Sequence, residues 1–372
     1  MSGELGIIYH EDYLTHDPRI LVPWSPEIPE RLMAIDRIFK FQGIYNNPRV
    51  LMYKPTPATE EDLLSVHSKE YIERFRSLSK RGGFLAFETP VFSETFYVAS
   101  LAAGGAVQAG QLVLRGEVNK AYALVRPPGH HASRSTAGGF CYFNDVAIMV
   151  RKLQKCCGVE RVLIVDFDAH HGNGIQNIFY NDPCVLYVSL HQYGYHSSGL
   201  RVFPGTGWIT EIGEGPGKGY KINMPLPGGT TDKSYLYVMN AIVPPIAEEY
   251  RPELLIAYCG ADAHFKETET AELCLSLKGY KQIADMLVNI SNKFCGGKMV
   301  TVLGGGYDLD ALAKVNLIMI KSMLNIRKNH ILDEEKPPPE GSAITREVRK
   351  RLFELRKILS PYWKSVTVQL RG

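Results

Sequence analysis

The sequence predicts an α/β fold: a single domain built on an open, mostly parallel sheet with helices on both faces. The first observation behind this prediction is that short apolar runs alternate along the chain with longer segments of helical periodicity, the order of a doubly wound sheet. The second is that these runs are apolar at almost every position, as expected for parallel strands that helices cover on both faces. The third is that chemically reactive residue types directly follow several runs, where such sheets bind ligands.

The predicted elements follow one another in a regular order. A strand is expected at Leu5–His10 and a helix at Pro29–Lys40, because proline is favoured in the first helical turn. Five further runs have the length and composition of buried strands: Ala121–Val125, Val162–Phe167, Val185–Leu190, Leu254–Tyr258 and Met299–Leu303. The remaining periodic segments are predicted helices: Glu60–Ser65, Lys69–Ser79, Ser93–Leu114, Asp145–Leu153, Tyr235–Glu249, Leu277–Lys293 and Leu309–Leu324.

The C-terminal region differs from the rest of the chain. Lys336–Glu340 contains three consecutive prolines and is predicted to be a linker, and Ile344–Leu359 has the pattern of a basic amphipathic helix. We therefore predict one catalytic domain over residues 1–335. The linker and helix of residues 336–372 are expected to pack on the outside of that same domain.

The composition is that of a globular protein in a reducing compartment. With 372 residues the chain can bury a large core, and its formal net charge of +3 predicts no direct nucleic-acid binding. The seven cysteines are an odd number without paired metal-ligand spacing, so reduced thiols are expected. No apolar run is expected to approach the length of a membrane span. A cytoplasmic protein that has no membrane partner is expected.

Two aspartates and two histidines stand within six residues at the end of the predicted strand Val162–Phe167. In a strand, alternate side chains point the same way, so Asp166, Asp168 and His170 are expected to face one side. Mixed carboxylate and imidazole ligands suit Zn²⁺ with an open position for water, although Fe²⁺ accepts the same set. The alternative is a polar strand end with capping aspartates.

Similar residues follow three other predicted strands. His130 and His131 follow Ala121–Val125, Asp262 follows Leu254–Tyr258, and Tyr307 follows three glycines after Met299–Leu303. Asp262 is placed to be a third metal ligand, and the two histidines are candidates for a general base and a second proton donor. Tyr307 is a candidate hydrogen-bond donor to a developing oxyanion.

These segments resemble the zinc-dependent histone deacetylase superfamily, which includes class II-like histone deacetylases, acetylpolyamine amidohydrolases and deacetylase-like amidohydrolases. The similarity extends from Tyr9 to about Leu324. It includes four more motifs in order: His16-Asp17-Pro18, Pro29-Glu30-Arg31-Leu32, His67-Ser68-Lys69-Glu70-Tyr71 and Phe203-Pro204-Gly205-Thr206-Gly207. The resemblance implies the arginase–deacetylase fold. Asn173 and the Arg126–His131 segment place the chain nearer the class II-like branch than class I.

The resemblance also implies residue roles. Zn²⁺ would be held by Asp168, His170 and Asp262. His131 would be the general base and then the general acid, with His130 as its electrostatic partner. Asp166 would hold the imidazole of His130, Asn173 would hold that of His131, and Tyr307 would polarise the acyl carbonyl.

Further implied roles concern the surroundings of this centre. Phe140, Phe203 and Gly139 would line a tunnel for the aliphatic stem of the substrate, and Glu88 would hold substrate amides. Arg31 would lie beside an inner cavity. A structural potassium ion is implied near Asp166, Asp168, His170, Ser189 and Leu190.

The expected function is that of a metal-dependent amidohydrolase. It would remove acetyl or other acyl groups from acetyl-lysine of a protein or from a small acetylated amine such as an acetylpolyamine, releasing acetate. One alternative is a non-catalytic acyl-lysine-binding or scaffold protein on the same fold. An arginase-type ureohydrolase is disfavoured because Gly172 and His264 stand where a second metal ion would need acids.

Two loops bear on the substrate and the oligomeric state. Glu267, Glu269 and Glu272 would favour a cationic substrate if they lie at a tunnel rim; the alternative is a solvated acidic loop. The segment Gln192–Arg201 would form a rim contact, a lid or plain surface. A homo-oligomer is left open.

Overall fold

The structure, a computed structural model, describes residues 3–268, 270–326 and 336–367. Ten strands occur in the described residues: β1 (Gly3–Ile8), β2 (Val50–Tyr53), β3 (Gly83–Ala86), β4 (Thr89–Val91), β5 (Val118–Ala123), β6 (Val162–Asp166), β7 (Val185–Gln192), β8 (Lys221–Leu226), β9 (Leu254–Cys259) and β10 (Met299–Leu303). Eight of them form one parallel sheet in the order β2-β1-β5-β10-β9-β6-β7-β8, and β3 and β4 form a separate antiparallel hairpin.

In the part of the chain that the structure describes, ten α-helices pack around this framework. They are α1 (Glu30–Phe41), α2 (Glu60–Leu64), α3 (Lys69–Arg81), α4 (Thr95–Leu114), α5 (Asp145–Cys157), α6 (Asn173–Ile178), α7 (Asp232–Tyr250), α8 (Leu277–Phe294), α9 (Leu309–Met323) and α10 (Ser342–Leu359). Every residue of β6 to β10 is buried, as strands covered on both faces require. The predicted α/β fold with a parallel sheet is confirmed.

The strand order brings the reactive segments together. Strands β5, β10, β9 and β6 are consecutive neighbours at the centre of the sheet and run parallel. Their carboxyl ends therefore meet at one edge, and the segments that follow them share that edge. These segments carry the histidine pair, the glycine turn with Tyr307, Asp262 and the Asp166–His171 motif.

Several elements differ from the sequence prediction. Strand β6 ends at Asp166, so the alternation of side chains in a strand does not extend to Asp168 and His170. Strand β5 begins three residues before the predicted Ala121. Strands β2 and β8 and the β3–β4 hairpin were not predicted. In β8, Lys221, Asn223 and Pro225 interrupt the apolar pattern although all three are buried.

Helix α4 corrects one expectation. It is 20 residues long and apolar enough to meet the length and composition of a membrane span, contrary to the expectation from the sequence. Most of the helix is buried within the protein, including Gly104, whose added Cβ would lie 1.9 Å from the Thr56 carbonyl oxygen. The position of α4 in the protein core therefore explains its apolar composition.

The C-terminal helix α10 packs against β8 and α7. Val348, Leu352, Leu355 and Leu359 form its buried face. In the preceding linker, Glu340 accepts hydrogen bonds from the backbone of Thr231 and from two hydroxyl groups at the start of α7. The domain limits at 335 and 336 stay a prediction, since residue 335 lies outside the described residues.

Candidate metal and catalytic site

Three predicted metal ligands converge beyond β6 and β9. One ligand atom from each of Asp168, His170 and Asp262 lies within 4.8 Å of the other two. His170 Nδ1 lies 2.9 Å from Asp262 Oδ2 and 3.3 Å from Asp168 Oδ1. Its other ring nitrogen, Nε2, lies 2.9 Å from the carbonyl oxygen of Thr270. A ring that donates from Nε2 presents the lone pair of Nδ1 to the two carboxylates, as a metal-binding histidine does.

Backbone amides fix the two carboxylates. Asp168 accepts hydrogen bonds from the amide of Gly305 at 2.7 Å and that of His170 at 3.0 Å. Asp262 accepts from the amide of Ala169 at 2.9 Å. A Cβ on Gly305 would lie 2.6 Å from Asp262 Oδ2, so the close approach requires glycine there.

Without a cation, two groups of this cluster hold on to protons. Burial and the negative charge of Asp168 raise the pKa of Asp262 to about 7. Burial also opposes a charge on His170, but its two carboxylate neighbours outweigh that and raise its pKa well above the usual value. Two buried carboxylates that compete for a proton are the donor set of a divalent cation.

The two adjacent histidines have different partners. His130 Nδ1 lies 3.1 Å from Asp166 Oδ2, which also accepts a hydrogen bond of 2.9 Å from Tyr187. His131 Nδ1 lies 2.8 Å from Asn173 Oδ1. The two imidazole rings are in contact, with centroids 3.9 Å apart. Asp166 therefore contacts a histidine and lies outside the ligand cluster. Side-chain alternation in a strand had predicted that it would face the same side as Asp168 and His170.

These partners set opposite pKa shifts. Burial disfavours the charged form of both histidines. For His130, the carboxylates of Asp168 and Asp166 outweigh burial and raise the pKa. For His131, the positive charges of His130 and His170 add to burial, and its pKa falls well below the usual value. The shifts thus favour the neutral form of His131 and the protonated form of His130.

Tyr307 lies at the same edge of the sheet and is held from two sides. Its amide donates to Glu267 Oε2 at 2.8 Å, and the amide of Asp308 donates to the same oxygen at 3.2 Å. The guanidinium of Arg31 lies 5.0 Å from the centre of the Tyr307 ring. Burial raises the pKa of the Tyr307 hydroxyl well above the usual value, so it keeps its proton.

Arg31 belongs to a buried ion network behind the site. It donates to the carbonyl oxygens of Gly304 at 2.6 Å and Gly306 at 2.8 Å, and to Glu27 at 3.0 Å. Glu27 also accepts from Arg126 at 2.8 Å. The sequence prediction identified Arg31 but not the role of Glu27, which the Arg126–Pro127 motif alone does not reveal.

A cavity of about 350 Å³ opens onto these groups. Phe203 contacts the His131 ring at 4.9 Å between centroids, and Phe140 contacts the Tyr307 ring at 5.7 Å. Gly139 lies between them with φ +51°, and a Cβ there would lie 2.4 Å from His131 Cδ2. Glu88, in the turn between β3 and β4, also lines the cavity, and burial raises its pKa.

The rim of the cavity is formed in part by the segment 192–201. His196, Ser197, Leu200 and Arg201 line the cavity. The segment is tied to the opposite side because Glu272 accepts from the Ser197 amide at 2.9 Å. Contacts around the rim therefore join the two loops that the sequence singled out.

The three glutamates of the acidic segment do not share one environment. Glu267 is 4% exposed and accepts a hydrogen bond from the Tyr307 amide, so neither the rim hypothesis nor the solvated-loop alternative holds for it. Glu272 lines the cavity. Glu269 lies outside the described residues.

The residues proposed for potassium lie on two neighbouring strands, β6 and β7, and in the segment that follows β6. Asp166 of β6 pairs with Ser189 of β7, and Leu190 follows. The ion itself stays a prediction. Sequence reasoning missed Tyr187 and Tyr258, which contact the His130–Asp166 pair, because a tyrosine in an apolar run has the pattern of core.

Comparison with known proteins identifies relatives over most of the chain. Residues 25–323 match the family model of the histone deacetylase domain. A probable deacetylase of Archaeoglobus fulgidus is 39% identical over 366 residues, covering 96% of this chain and 98% of the relative. A histone deacetylase-like amidohydrolase of Pseudomonas aeruginosa is 36% identical over 336 residues, covering 89% of this chain and 85% of the relative.

A fungal relative and a solved structure agree with these matches. Histone deacetylase clr3 of Schizosaccharomyces pombe is 35% identical over 387 residues, covering 98% of this chain but 54% of its own length, so this chain spans about half of clr3. The crystal structure of the HDA15 HD domain has a TM-score of 0.87 at 30% identity, covering 98% of this chain and 97% of that one. The chain belongs to the histone deacetylase family.

Proposed function

We propose that this chain is a metal-dependent deacylase that hydrolyses the acyl amide of acetyl-lysine or of an acetylpolyamine and releases acetate. The single observation that carries the proposal is the convergence of three groups at one cavity. The cluster of Asp168, His170 and Asp262, the His130–His131 pair and Tyr307 all line it or lie directly beside it.

The metal site fits one divalent cation. Asp168, His170 and Asp262 would hold it, and Zn²⁺ is proposed, with Fe²⁺ as a second candidate for the same ligands. When bound, such a cation polarises the acyl carbonyl and lowers the pKa of a water molecule to about 7. The raised pKa of Asp262 in the metal-free cluster supports this fit, because a cation would remove the competition between the carboxylates.

His131 is the proposed general base. Its Nδ1 is engaged with Asn173 at 2.8 Å, which directs Nε2 towards the cavity. Because the pKa of His131 is lowered, Nε2 is free to accept a proton from water at neutral pH. The protonated imidazole then donates to the departing amine. The positive charge of His130 beside it lowers the pKa of His131, so the His131 imidazolium releases its proton readily.

Tyr307 is the proposed oxyanion donor. A hydroxyl with a raised pKa keeps its proton and can donate it in a hydrogen bond to the carbonyl oxygen as charge develops. The Glu267 carboxylate holds the backbone of Tyr307, and Arg31 packs against its ring. The donor is therefore in place before the substrate binds.

The walls of the cavity suit an unbranched aliphatic stem. Phe140 and Phe203 stand on either side of Gly139, whose missing side chain keeps the passage open. Lysine and polyamines both attach their acyl group to such a stem. Glu88 and Glu272 line the same cavity, and two carboxylates favour a substrate that carries a further positive charge. This is what supports the acetylpolyamine as a second candidate.

Steady-state assays of the zinc-loaded protein test the proposal. Acetyl-lysine peptides, N-acetylputrescine and N-acetylspermidine would be compared side by side, with Tyr307→Phe as control. Acetate release that the variant loses supports deacylase chemistry, and the ratio of kcat/KM values assigns the substrate class. A zinc-loaded protein that releases acetate from none of them, nor from longer acyl amides, would contradict the proposal and favour the acyl-lysine-binding alternative.

A further inference from the structure

One fully buried cation is not used by the proposed mechanism. Lys221 is the first residue of β8, and its side chain is fully buried. Its Nζ donates hydrogen bonds to the backbone carbonyls of Val185 at 2.6 Å, Asp182 at 3.0 Å and Tyr220 at 3.3 Å. All three acceptors are neutral peptide oxygens. A buried lysine is rare, and one whose acceptors are all neutral calls for a physical reason.

The three carbonyls converge because a ladder of parallel strands ends there. Pairing between β7 and β8 begins at Tyr187 and Lys221, so the Val185 carbonyl lies beyond the end of the ladder. The Asp182 carbonyl comes from the turn before β7. The side chain of Asp182 fixes that turn, because its Oδ2 lies 2.6 Å from Arg151 and its Oδ1 accepts from the Cys184 amide at 2.9 Å.

The number of donors matches the number of acceptors. An ammonium group carries three hydrogens, one for each carbonyl, whereas a neutral amine carries two hydrogens and a lone pair that would face an oxygen. Burial lowers the pKa of Lys221 to about 7, and the charge of Asp182 opposes this shift. Below that pH the side chain is an ammonium, and its three hydrogens match the three carbonyl acceptors. Peptide oxygens arranged around one positive centre are also the ligands that proteins offer to potassium.

We propose that Lys221 is a tethered cation, whose ammonium fills a carbonyl site that a monovalent metal ion would otherwise occupy. It connects the turn at Asp182 to the starts of β7 and β8. That turn follows α6, whose first residue is Asn173, the partner of His131. The site formed by these three carbonyls therefore needs no potassium, because the Lys221 side chain supplies its positive charge. The inference depends on the fold and not on the proposed reaction.

Replacing Lys221 with methionine tests the proposal. Lys221→Met removes the ammonium and keeps a stem of similar length, leaving a space of the size of one potassium ion. Unfolding temperatures of the full chain would be measured by circular dichroism in choline, sodium and potassium chloride at equal ionic strength. We expect the variant to be less stable than the wild type in choline and to gain more from potassium than the wild type does.

A matched control and a count of bound ions complete the test. Lys221→Arg keeps a positive charge at the site, and its potassium response is expected not to exceed that of the wild type. Thallium(I), a spectroscopic substitute for potassium, is expected to bind with one more ion per chain in Lys221→Met than in the wild type. A potassium response and a thallium count equal to those of the wild type would overturn the proposal.

The wild-type protein supplies a measurement that does not depend on the folding of Lys221→Met. In ¹⁵N-labelled protein on the acid side of the Lys221 pKa, a slowly exchanging ammonium signal is expected, assigned by its loss in Lys221→Arg. A chemical shift typical of a neutral amine under these conditions would equally overturn the proposal.

Discussion

At the residue scale, the two adjacent histidines differ because their neighbours differ. His130 has Asp166 at 3.1 Å from Nδ1 and Asp168 at 4.0 Å from Nε2, whereas His131 has the neutral amide of Asn173. Burial disfavours a charge on both, but only His130 has carboxylates that outweigh it. The opposite pKa shifts therefore favour a protonated His130 beside a neutral His131. Amide hydrolysis needs both, since water must lose a proton and the amine must gain one.

Asn173→Asp is predicted to move the acid limb of the pH profile of kcat/KM upwards. A carboxylate 2.8 Å from Nδ1 would favour the imidazolium form of His131 and raise its pKa by about 1–3 units. Because the base must be neutral to act, activity would be lost at a higher pH than in the wild type. The measurement is kcat/KM against pH for both proteins. An unchanged acid limb would show that His131 is not the group whose ionisation limits the reaction.

Tyr307→Phe is predicted to lower kcat by about 10²–10³-fold, the usual effect of removing one oxyanion donor. The KM is expected to change little, because the hydrogen bond strengthens only as charge develops on the carbonyl oxygen. The backbone bonds of residue 307 to Glu267 are kept, so the turn should be preserved. Zinc content would be measured alongside, and a fall in kcat accompanied by loss of zinc would count against this role.

At the scale of elements, the turn between β10 and α9 is the part that the sequence described least well. Three glycines and a tyrosine predicted a turn, and the structure adds what holds it. Asp168 binds its Gly305 amide, Arg31 binds its carbonyls, and Glu267 binds the amide of Tyr307. Glu267 stands in an acidic segment, and an acidic segment usually indicates solvent. Only the tertiary fold shows that this one glutamate turns inwards.

Glu267→Ala is predicted to destabilise this turn and lower activity towards peptides and polyamines alike. It would leave two amides without their acceptor, which costs about 1–3 kcal/mol for a buried donor. Glu267→Gln keeps an acceptor oxygen and should retain much of the stability. The free energy of unfolding and kcat/KM for both substrate classes are the measurements. A change in the ratio of kcat/KM values between the two substrate classes, without loss of stability, would indicate that Glu267 acts on the substrate at the cavity rim.

Glu272→Gln and Glu269→Gln are the matched variants for substrate choice. Glu272 lines the cavity and bonds the exposed Ser197, so its replacement should leave stability within about 0.5 kcal/mol of the wild type. If the acidic segment selects cationic substrates, the ratio of acetylpolyamine to acetyl-lysine kcat/KM falls. A constant ratio in both variants would leave the solvated-loop explanation for these two residues.

The strands show which elements the hydrophobic pattern of the sequence can predict. Runs that are apolar at almost every position, such as 162–166 and 299–303, were predicted within a residue or two, because burial on both faces demands such composition. Strand β8 was not predicted, since Lys221 and Asn223 are polar although both are buried. Their partners are backbone carbonyls and side chains from distant segments. Sequence periodicity contains no record of such partners.

At the scale of the whole molecule, the site exists only when the sheet is formed. The ligands come from the segments after β6 and β9, and the amide that fixes Asp168 comes from the segment after β10. The sequence predicted the ligands because parallel strands deliver their ends to one edge. It did not predict the full strand order, since β9 and β10 lie between β5 and β6 against chain order. Metal binding and folding should therefore be coupled.

This coupling predicts how zinc stabilises the protein as the pH changes. In the metal-free protein the pKa of Asp262 is raised from 3.8 to about 7 and that of His170 lies well above 6.5. A group whose pKa is raised by folding stabilises the protein below its unfolded pKa and loses that stabilisation as the pH rises through its folded pKa. The metal-free protein is therefore expected to lose stability from about pH 4 upwards on account of these groups. Asp168, whose pKa is lowered, acts only below 3.8.

Zinc displaces the protons that Asp262 and His170 retain, so the gain in unfolding temperature on adding zinc should increase between about pH 5 and pH 8. With free zinc at about 1,000 times its dissociation constant, the stabilisation approaches about 4 kcal/mol. Scanning calorimetry of chelator-treated and zinc-loaded protein across this range is the measurement. Asp262→Asn is the control, because it lacks the charge of this ligand and the proton that Asp262 retains. Its zinc response should be small and should keep only the pH dependence that His170 contributes. A gain that is constant with pH in the wild type would mean that the cluster is not the zinc site, or that its carboxylates are already ionised without metal.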